Sequence, residues 1–190
     1  MTYRIGEITV NLRANDIAKI SFSQTSLKFR CQRCAVFCCK CGGPRLSPKD
    51  VRDLKRSGKS LALSIDTKDM TMKERKDGSC ILLTVDSDKA YKCSVYNVRP
   101  ILCRTYPFQF ERLGEDSFAL NLIPCCNGLN AHDGDPIDER FFKKHLRKPF
   151  LDLLDHGQHC PSISTTILKS RQPHLIPEGR NIDAFRFFQS

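Results

Sequence analysis

The sequence predicts an α+β fold, in the form of a small metal-centred domain with two β-hairpins and several short helices. Three observations lead to this prediction. Five of the eleven cysteines lie in one segment, FRCQRCAVFCCKCGG at residues 29–43. Two pairs of β-rich runs are each joined by a turn, and segments with helical signals flank them. We expect a single domain over residues 1–190, with a cysteine-cluster core at about 29–128 and a helical C-terminal extension at about 138–190.

The first element, at residues 4–20, has mixed signals. Ile8, Val10 and Leu12 alternate with polar residues as in a β-strand, whereas Asn15 and Asp16 indicate a turn. We therefore predict either a strand or a helix that packs on the core.

A short helix is predicted directly after the cysteine segment, within LSPKDVRDLKRSGK at residues 46–59. Ser47 is a favourable N-cap, and Pro48 suits the first helical position. Asp50 lies where the positive end of the helix dipole stabilises a carboxylate. Gly58 is expected to end the helix.

Charged and turn-forming residues dominate KDMTMKERKDGS at residues 68–79, which predicts an exposed loop. CILLTVDSDKAYKCSVY at 80–96 then predicts a β-hairpin with its turn at 86–88, and with Cys80 and Cys93 on its two arms. YPFQFERL and SFALNLIP, on either side of Gly114, predict a second hairpin.

The segment at residues 138–155, DERFFKKHLRKPFLDLLD, has apolar residues at helical spacing. Pro149 is expected to break or kink it, so the pattern is compatible with one helix or with two. Its exposed basic residues, together with a formal net charge of +10, could indicate a nucleic-acid partner. These residues are Lys143, Lys144, Arg147 and Lys148. A solvated helix face explains such a run more simply, and bound thiolates would cancel part of the charge, so the sequence supports this partner only weakly.

Composition limits the kinds of site that the cysteines can form. No segment approaches the roughly 18 apolar residues of a membrane span, and the N-terminal residues do not resemble a signal peptide, so we expect a cytoplasmic protein with no membrane contact. Clustered cysteines in a reducing compartment are typical of metal ligands or redox groups rather than of disulfides. No βαβ pattern surrounds the C-x-x-C at Cys31 and Cys34, which favours metal binding over a thioredoxin-like redox site.

A second dense feature is CSVYNVRPILCRTYPFQF at residues 93–110. Pro100 and Pro107 restrict the residues before them to extended geometry, so Cys103 is predicted to lie in a short rigid bend. Arg99 and Arg104 flank it, and each guanidinium could bind thiolates or an anionic substrate, or could pair with a nearby carboxylate to hold the bend.

Weaker candidates remain. His156, His159 and Cys160 have a spacing compatible with a late metal site, although a histidine at a helix end more often interacts with the helix dipole. No pair of acidic residues indicates general acid and base roles, and the sequence leaves open whether the protein is an enzyme.

Together these segments resemble the CxxCxxCC family of zinc- or iron-chelating proteins, also called the YkgJ-like cysteine cluster proteins. The resemblance runs from Phe29 through the cysteine segment and the following helix, includes residues 93–108, and closes on cysteines followed by Gly128. It covers about half of the chain. The family usually has a glycine and one further residue between the second cysteine and the cysteine pair, whereas this chain has Ala35, Val36 and Phe37.

The resemblance implies metal binding by the shared cysteines, which are Cys31, Cys34, Cys38, Cys39, Cys80, Cys93, Cys103 and Cys125. Cys41 and Cys126 are additional candidates, and Arg99, Arg104 and Tyr106 are candidates for contacts around the centre or with a protein or small-molecule substrate. Adjacent side chains of extended chain point in opposite directions, so we expect Cys38 and Cys39 to serve one cluster and one second site, or to be one ligand and one reactive thiol. An iron-sulfur cluster, of the 4Fe–4S type, and zinc compete for these ligands.

A cluster would permit redox chemistry, and zinc would form a structural site for an interaction module. The cysteine motif is also similar to that of flagellin lysine methylases, which suggests methyl transfer.

Overall fold

The computed structural model describes residues 2–23, 26–40, 42–58 and 62–156. These residues form two compact units. The first consists of residues 2–30 and 107–142, and the second of residues 31–106 and 143–156. Strands and short helices occur together, which confirms the α+β class. The expected single domain with a C-terminal extension remains a prediction.

The first unit is built on a four-stranded antiparallel sheet in the order β2-β1-β9-β8. The N-terminal segment forms two strands, β1 (Tyr3–Asn11) and β2 (Asp16–Phe22), so of the two predicted alternatives the strand is correct. The predicted second hairpin is also confirmed, as β8 (Phe108–Arg112) and β9 (Ser117–Leu122). Strand β9 is the central apolar element, because its residues 118–122 are all buried.

A small second sheet and an aromatic cluster complete this unit. Strand β3 (Lys28–Phe29) pairs with β10 (Asp135–Pro136). The Phe29 ring packs edge-to-face on Phe108 and Phe141, with centroid distances of 5.3 and 6.0 Å. Such pairs stabilise the unit beyond the apolar area that they bury.

The second unit begins with the cysteine segment and two helices, α1 (Val36–Lys40) and α2 (Pro48–Ser57). Helix α2 confirms the sequence prediction in detail. Ser47 is the N-cap, Pro48 is the first helical residue, and Ser47 and Asp50 form a reciprocal capping box. The helix ends before Gly58.

The segment at residues 68–79 was expected to be an exposed loop, and this is wrong for its first half. Thr71–Met72 forms strand β5 and pairs with β4 (Ile65–Asp66). Met72 is only 1% exposed and belongs to the core of the unit. The apolar methionine side chain outweighs the charges around it, because burying a side chain of that size contributes about 2 kcal/mol.

The predicted first hairpin is confirmed as β6 (Leu83–Val85) and β7 (Tyr91–Cys93). The Asp86 carboxylate organises the turn, because its Oδ1 accepts hydrogen bonds from the backbone N–H groups of Asp88 and Ala90. Lys89 closes the turn with a φ of 59°. Cys93 lies on the second arm, whereas Cys80 lies before the first arm and bridges to Glu74.

The proline-flanked segment after this hairpin contains a 3₁₀ turn (Tyr96–Val98) and helix α3 (Ile101–Thr105). Arg99 and Tyr106, the residues before the two prolines, have the extended conformation that the prolines impose. Cys103, which was expected in a bend, therefore lies in a short helix between two extended residues.

The C-terminal part consists of α4 (Glu139–Phe141), a π-helical segment (Phe142–Leu146) and α5 (Arg147–His156). The π-helical segment occupies the turn before Pro149, where the proline cannot donate to a carbonyl in the preceding turn. The predicted irregularity therefore takes the form of a π-helical segment. No helix in the described ranges has both the length and the apolar character that a membrane span requires.

Replacing Lys89 by glycine is expected to stabilise the protein. Lys89 is exposed and has left-handed φ, which costs about 1–2 kcal/mol for a residue with a Cβ, while glycine adds less than about 1 kcal/mol of unfolded-state entropy. Denaturant unfolding of Lys89→Gly should show a higher midpoint. The matched change Asp88→Gly, one residue earlier at a φ that is not positive, should lower it. A lower midpoint for Lys89→Gly would contradict the described turn.

Candidate metal centre

Five cysteines are gathered in the second unit, and the secondary structure explains how. They are Cys38, Cys39, Cys80, Cys93 and Cys103. Cys39 and Cys80 are buried in its hydrophobic core, and Cys38 and Cys93 pack against that core. The predicted residues from the cysteine segment, from the hairpin and from its exit are therefore brought together.

Helix α1 places the adjacent pair Cys38 and Cys39 in one turn. Their Sγ atoms are 4.0 Å apart. The expectation that the two point to different sites was based on an extended chain and does not apply, because successive side chains of a helix lie about 100° apart. Both thiols face one neighbourhood. The backbone carbonyl of Cys39 also accepts a hydrogen bond of 2.8 Å from the N–H of Cys80, which ties the third cysteine to the pair.

Cys93 and Cys103 reach the same neighbourhood through different constraints. Cys93 is fixed by its antiparallel pairing with Leu83 in the hairpin. Cys103 is carried by α3, whose first residue, Ile101, donates its N–H to the Asp50 carboxylate at 2.9 Å. Asp50 is only 4% exposed, and its other oxygen accepts hydrogen bonds from the backbone N–H and the hydroxyl of Ser47. One buried carboxylate therefore caps both α2 and α3.

The pKa values of the thiols of Cys38, Cys39 and Cys93 are shifted in different directions. Interactions with the sulfur atoms of Cys38 and Cys93 raise the pKa of Cys39, because they favour its protonated form. The hydrogen bond from Cys39 lowers the pKa of Cys38, and the same interaction lowers that of Cys93 to about 6. The arrangement therefore favours the thiolate form of Cys38 and Cys93 and the thiol form of Cys39.

The pKa values of the other two thiols, Cys80 and Cys103, are both raised. Burial raises the pKa of Cys80 and raises that of Cys103 well above its usual value. The guanidinium of Arg99 partly opposes this for Cys103, and it also lowers the pKa values of Cys38 and Cys93. Arg99 therefore acts on three of these thiols, and Arg75 acts on a fourth, Cys80.

The chemical type of these donors fits a thiolate-binding metal centre, since zinc and iron-sulfur clusters both take cysteine sulfur. Their positions are those of neighbours in a core rather than of a closed ligand set. Within the described ranges, no three side chains of His, Cys, Asp or Glu are arranged to hold a metal ion. Binding would require some of these side chains to rotate.

The first two cysteines lie apart from the buried group. Cys31 is exposed, and Cys34 is partly buried. The Sγ atom of Cys31 accepts a hydrogen bond of 3.5 Å from the Tyr96 hydroxyl and lies 3.9 Å from Nη1 of Arg99. Arg99 therefore acts on both the exposed cysteine and the buried cluster.

The two arginines of the proline-flanked segment have different partners. Arg104 Nη2 lies 4.0 Å from the Asp152 carboxylate on α5, and α3 and α5 pack together. The Nε atom of Arg104 and that same Asp152 oxygen, Oδ2, have no hydrogen-bond partner among the described residues. The position of Arg104 beside Asp152 favours the alternative in which this arginine pairs with a carboxylate and holds the segment in place. Tyr106 is partly buried and precedes Pro107 in extended conformation, which leaves its assignment near the centre a prediction.

The remaining candidates lie elsewhere. Cys125 is exposed, Cys126 is partly buried, and both belong to the first unit, after β9. Cys41, His159 and Cys160 lie outside the described residues, as does the side chain of His156. The basic residues of the C-terminal helical segment are exposed, and their role in nucleic-acid binding stays a prediction.

The sequence did not reveal the roles that Asp50, Tyr96 and Arg33 have at this site. It placed Asp50 at a helix N-terminus but could not show its hydrogen bond to Ile101, which lies 51 residues away. It also missed Tyr96 and Arg33, which stack beside Cys31. A tyrosine three residues before an arginine was visible in the sequence, but the contact with Arg33 is not local.

Replacing Asp50 by alanine is expected to loosen the segment that carries Cys103. The change leaves buried hydrogen-bond donors of Ser47 and Ile101 without an acceptor, at a cost of about 3 kcal/mol in the free energy of unfolding. The matched change Asp53→Ala removes an exposed carboxylate of the same helix that pairs with Lys49, and should cost less than about 1 kcal/mol. Chemical denaturation measures both, and equal costs would contradict the double cap.

Arg104 and Asp152 are expected to be energetically coupled. A double-mutant cycle with Arg104→Ala and Asp152→Ala should give a coupling of about 0.5–1 kcal/mol, since both side chains are partly buried. Zero coupling, together with loss of bound metal in Arg104→Ala alone, would instead assign Arg104 to the centre.

Comparisons with known proteins agree with this chemistry. The CxxCxxCC family model, described as a putative zinc- or iron-chelating domain, matches residues 30–127. An uncharacterized protein of Methanocaldococcus jannaschii is 36% identical over 67 residues, which cover 34% of this chain and 35% of that relative, so the match spans about a third of the relative's length. No solved structure matches the chain. Because the family model covers more than half of its residues, the chain belongs to the CxxCxxCC family of zinc- or iron-chelating domains.

Proposed function

We propose that this protein binds an iron-sulfur cluster, of the 4Fe–4S type, through the cysteines of its second unit. The observation that carries the proposal is the concentration of five thiols around one core, drawn from a helix, a hairpin and a second short helix. Cysteine thiolates are the usual protein ligands of such clusters. The family description, zinc- or iron-chelating, supports a metal centre of either kind.

The chain has more cysteines than one cluster needs, since four cysteine ligands are sufficient. Cys38, Cys39, Cys80, Cys93 and Cys103 are the candidates at this core, while Cys31, Cys34 and Cys125 lie outside this group. We propose that the five thiols at the core supply most ligands of the cluster. Cys31, Cys34 and Cys41 would complete it or form a second metal site, and Cys125 and Cys126 stay predicted metal ligands.

A cluster here would be held in an apolar environment with the guanidinium groups of Arg99 and Arg75 acting on its ligands. The core around Cys39 and Cys80 is formed by aliphatic side chains, including Leu54 and Leu83. Arg99 would offset part of the negative charge of the thiolates, and such charges tune the reduction potential of a cluster. This environment supports a redox function. Methyl transfer is suggested only by the similarity to flagellin lysine methylases and remains the less supported chemistry.

Zinc is the alternative occupant of the same ligands. A zinc ion with four cysteines would be a structural site, and the protein would then act as a protein or nucleic-acid interaction module. The buried position of Cys39 and Cys80 is compatible with this alternative, because structural zinc stabilises folding directly.

Protein purified without oxygen should contain iron and acid-labile sulfide and should be brown, because iron-sulfur clusters absorb visible light whereas zinc, with a filled d shell, does not. Replacing Cys93 by alanine removes a proposed ligand and should remove most of the iron. Ser94→Ala changes the neighbouring residue, which only hydrogen-bonds to the Leu82 carbonyl, and should keep it.

Elemental analysis, sulfide determination and thermal unfolding of these samples distinguish the outcomes. Loss of the centre in Cys93→Ala should also lower the melting temperature, since metal binding adds to folding stability. Colourless protein with bound zinc would establish the alternative. Wild-type protein with neither iron nor zinc would exclude both.

A further inference from the structure

In the second unit, the aromatic ring of Tyr96 contacts two arginines. The Cζ atoms of Arg33 and Arg99 lie over this ring, 4.5 and 3.7 Å from its centroid. The two guanidinium groups therefore lie within about 8 Å of each other, a separation at which like charges still repel. Cation–π attraction to a tyrosine offsets this repulsion by only about 0.5–2 kcal/mol for each arginine.

The contacts of Arg99 fix its orientation. Its Nε donates a hydrogen bond of 3.0 Å to the backbone carbonyl of Tyr96, and its Nη1 lies 3.9 Å from the Cys31 sulfur. A guanidinium carries five N–H donors in a rigid planar fork. These two interactions leave further donors of Arg99 beside an exposed cysteine and an exposed arginine.

Arg33 differs from the other arginines near the cysteines. It is exposed, and within the described ranges its guanidinium forms neither an ion pair nor a hydrogen bond. Arg99 likewise has no carboxylate partner there, whereas Arg104 faces Asp152. No carboxylate among the described residues therefore forms an ion pair with Arg33 or Arg99.

The backbone at Arg33 adds an independent observation. Its φ is 54°, in the left-handed region that glycine and asparagine adopt most readily. A residue with a longer side chain costs about 1–2 kcal/mol in this region. The arginine therefore occupies this position at the expense of stability, and local strain of this kind clusters at binding sites.

We propose that Arg33, Tyr96 and Arg99 form a binding site for an oxyanion, the carboxylate or phosphate group of a small molecule. Two guanidinium forks held by one ring suit such a group, because arginine binds planar oxyanions through paired hydrogen bonds. An anion would neutralise the repulsion between the two arginines. Since Arg99 also contacts Cys31 and acts on the buried thiols, the site would hold a substrate at the metal centre, and this last step rests on the proposed function.

The test is calorimetric titration of the full-length protein, purified without oxygen, with inorganic phosphate and with citrate at low ionic strength. Sodium chloride of equal ionic strength serves as the control for general screening. The variant is Arg33→Gln, and the matched control is Arg52→Gln, which removes the same charge from an exposed position of α2 in the same unit. Iron, zinc and sulfide are measured in every sample.

The proposal predicts saturable binding of phosphate or citrate, weakened about tenfold or more in Arg33→Gln and unchanged in Arg52→Gln. Arg33→Lys, which keeps the charge but loses the planar fork, should give an intermediate affinity. Preference for citrate would identify a carboxylate ligand, and preference for phosphate a phosphorylated one.

Two results would overturn it: wild-type protein that binds neither anion, or equal weakening in Arg33→Gln and Arg52→Gln, which would mean unspecific electrostatics. Metal analysis is a separate readout. Wild-type protein without iron or zinc would refute the proposed function, while the anion titration would still decide whether the arginine site exists.

Discussion

A single buried carboxylate determines how the second unit is assembled. Asp50 accepts hydrogen bonds from Ser47 at the start of α2 and from Ile101 at the start of α3. Both helix starts have backbone N–H groups that need an acceptor and partial positive charge that favours an anion. Because one carboxylate serves both, the segment that carries Cys103 is held against the helix that follows the first cysteines. The position of Cys103 among the thiols depends on this contact.

The polar contacts around these thiols follow from the cost of burying charge. A thiolate in an apolar core is unfavourable unless a hydrogen bond or a cation compensates it. Cys39 supplies the hydrogen bonds to Cys38 and Cys93, and Arg99 supplies the cation. Arg104, only five residues further, faces a carboxylate instead. The two arginines of one segment thus have separate roles, one toward sulfur and one toward the packing of two helices.

Sequence patterns predicted the features that depend on neighbouring residues. The cap of α2, the turn at Asp86 and the extended residues before Pro100 and Pro107 all follow from local hydrogen bonding or local steric restriction. The resemblance to the family named the five cysteines that the structure gathers, but it named Cys31, Cys34 and Cys125 with them, and these lie outside that group.

Features that depend on distant contacts were missed. Strand β5 forms because Met72 is buried by partners that a charged local sequence does not reveal. The helical conformation of the Cys38 and Cys39 pair was also missed, and with it their shared direction. Ala35, the residue after Cys34, has a left-handed φ of 49°. Glycine adopts this conformation without the cost that a residue with a Cβ has there, and no sequence pattern indicated it.

We propose that sulfur atoms of this unit bind an iron-sulfur cluster. X-ray absorption spectroscopy at the iron and zinc edges, on protein purified without oxygen, is the decisive test. A cluster should give iron with sulfur atoms as its nearest neighbours and other iron atoms at the next distance. Iron bound by oxygen or nitrogen, a zinc site, or the absence of any metal would contradict it.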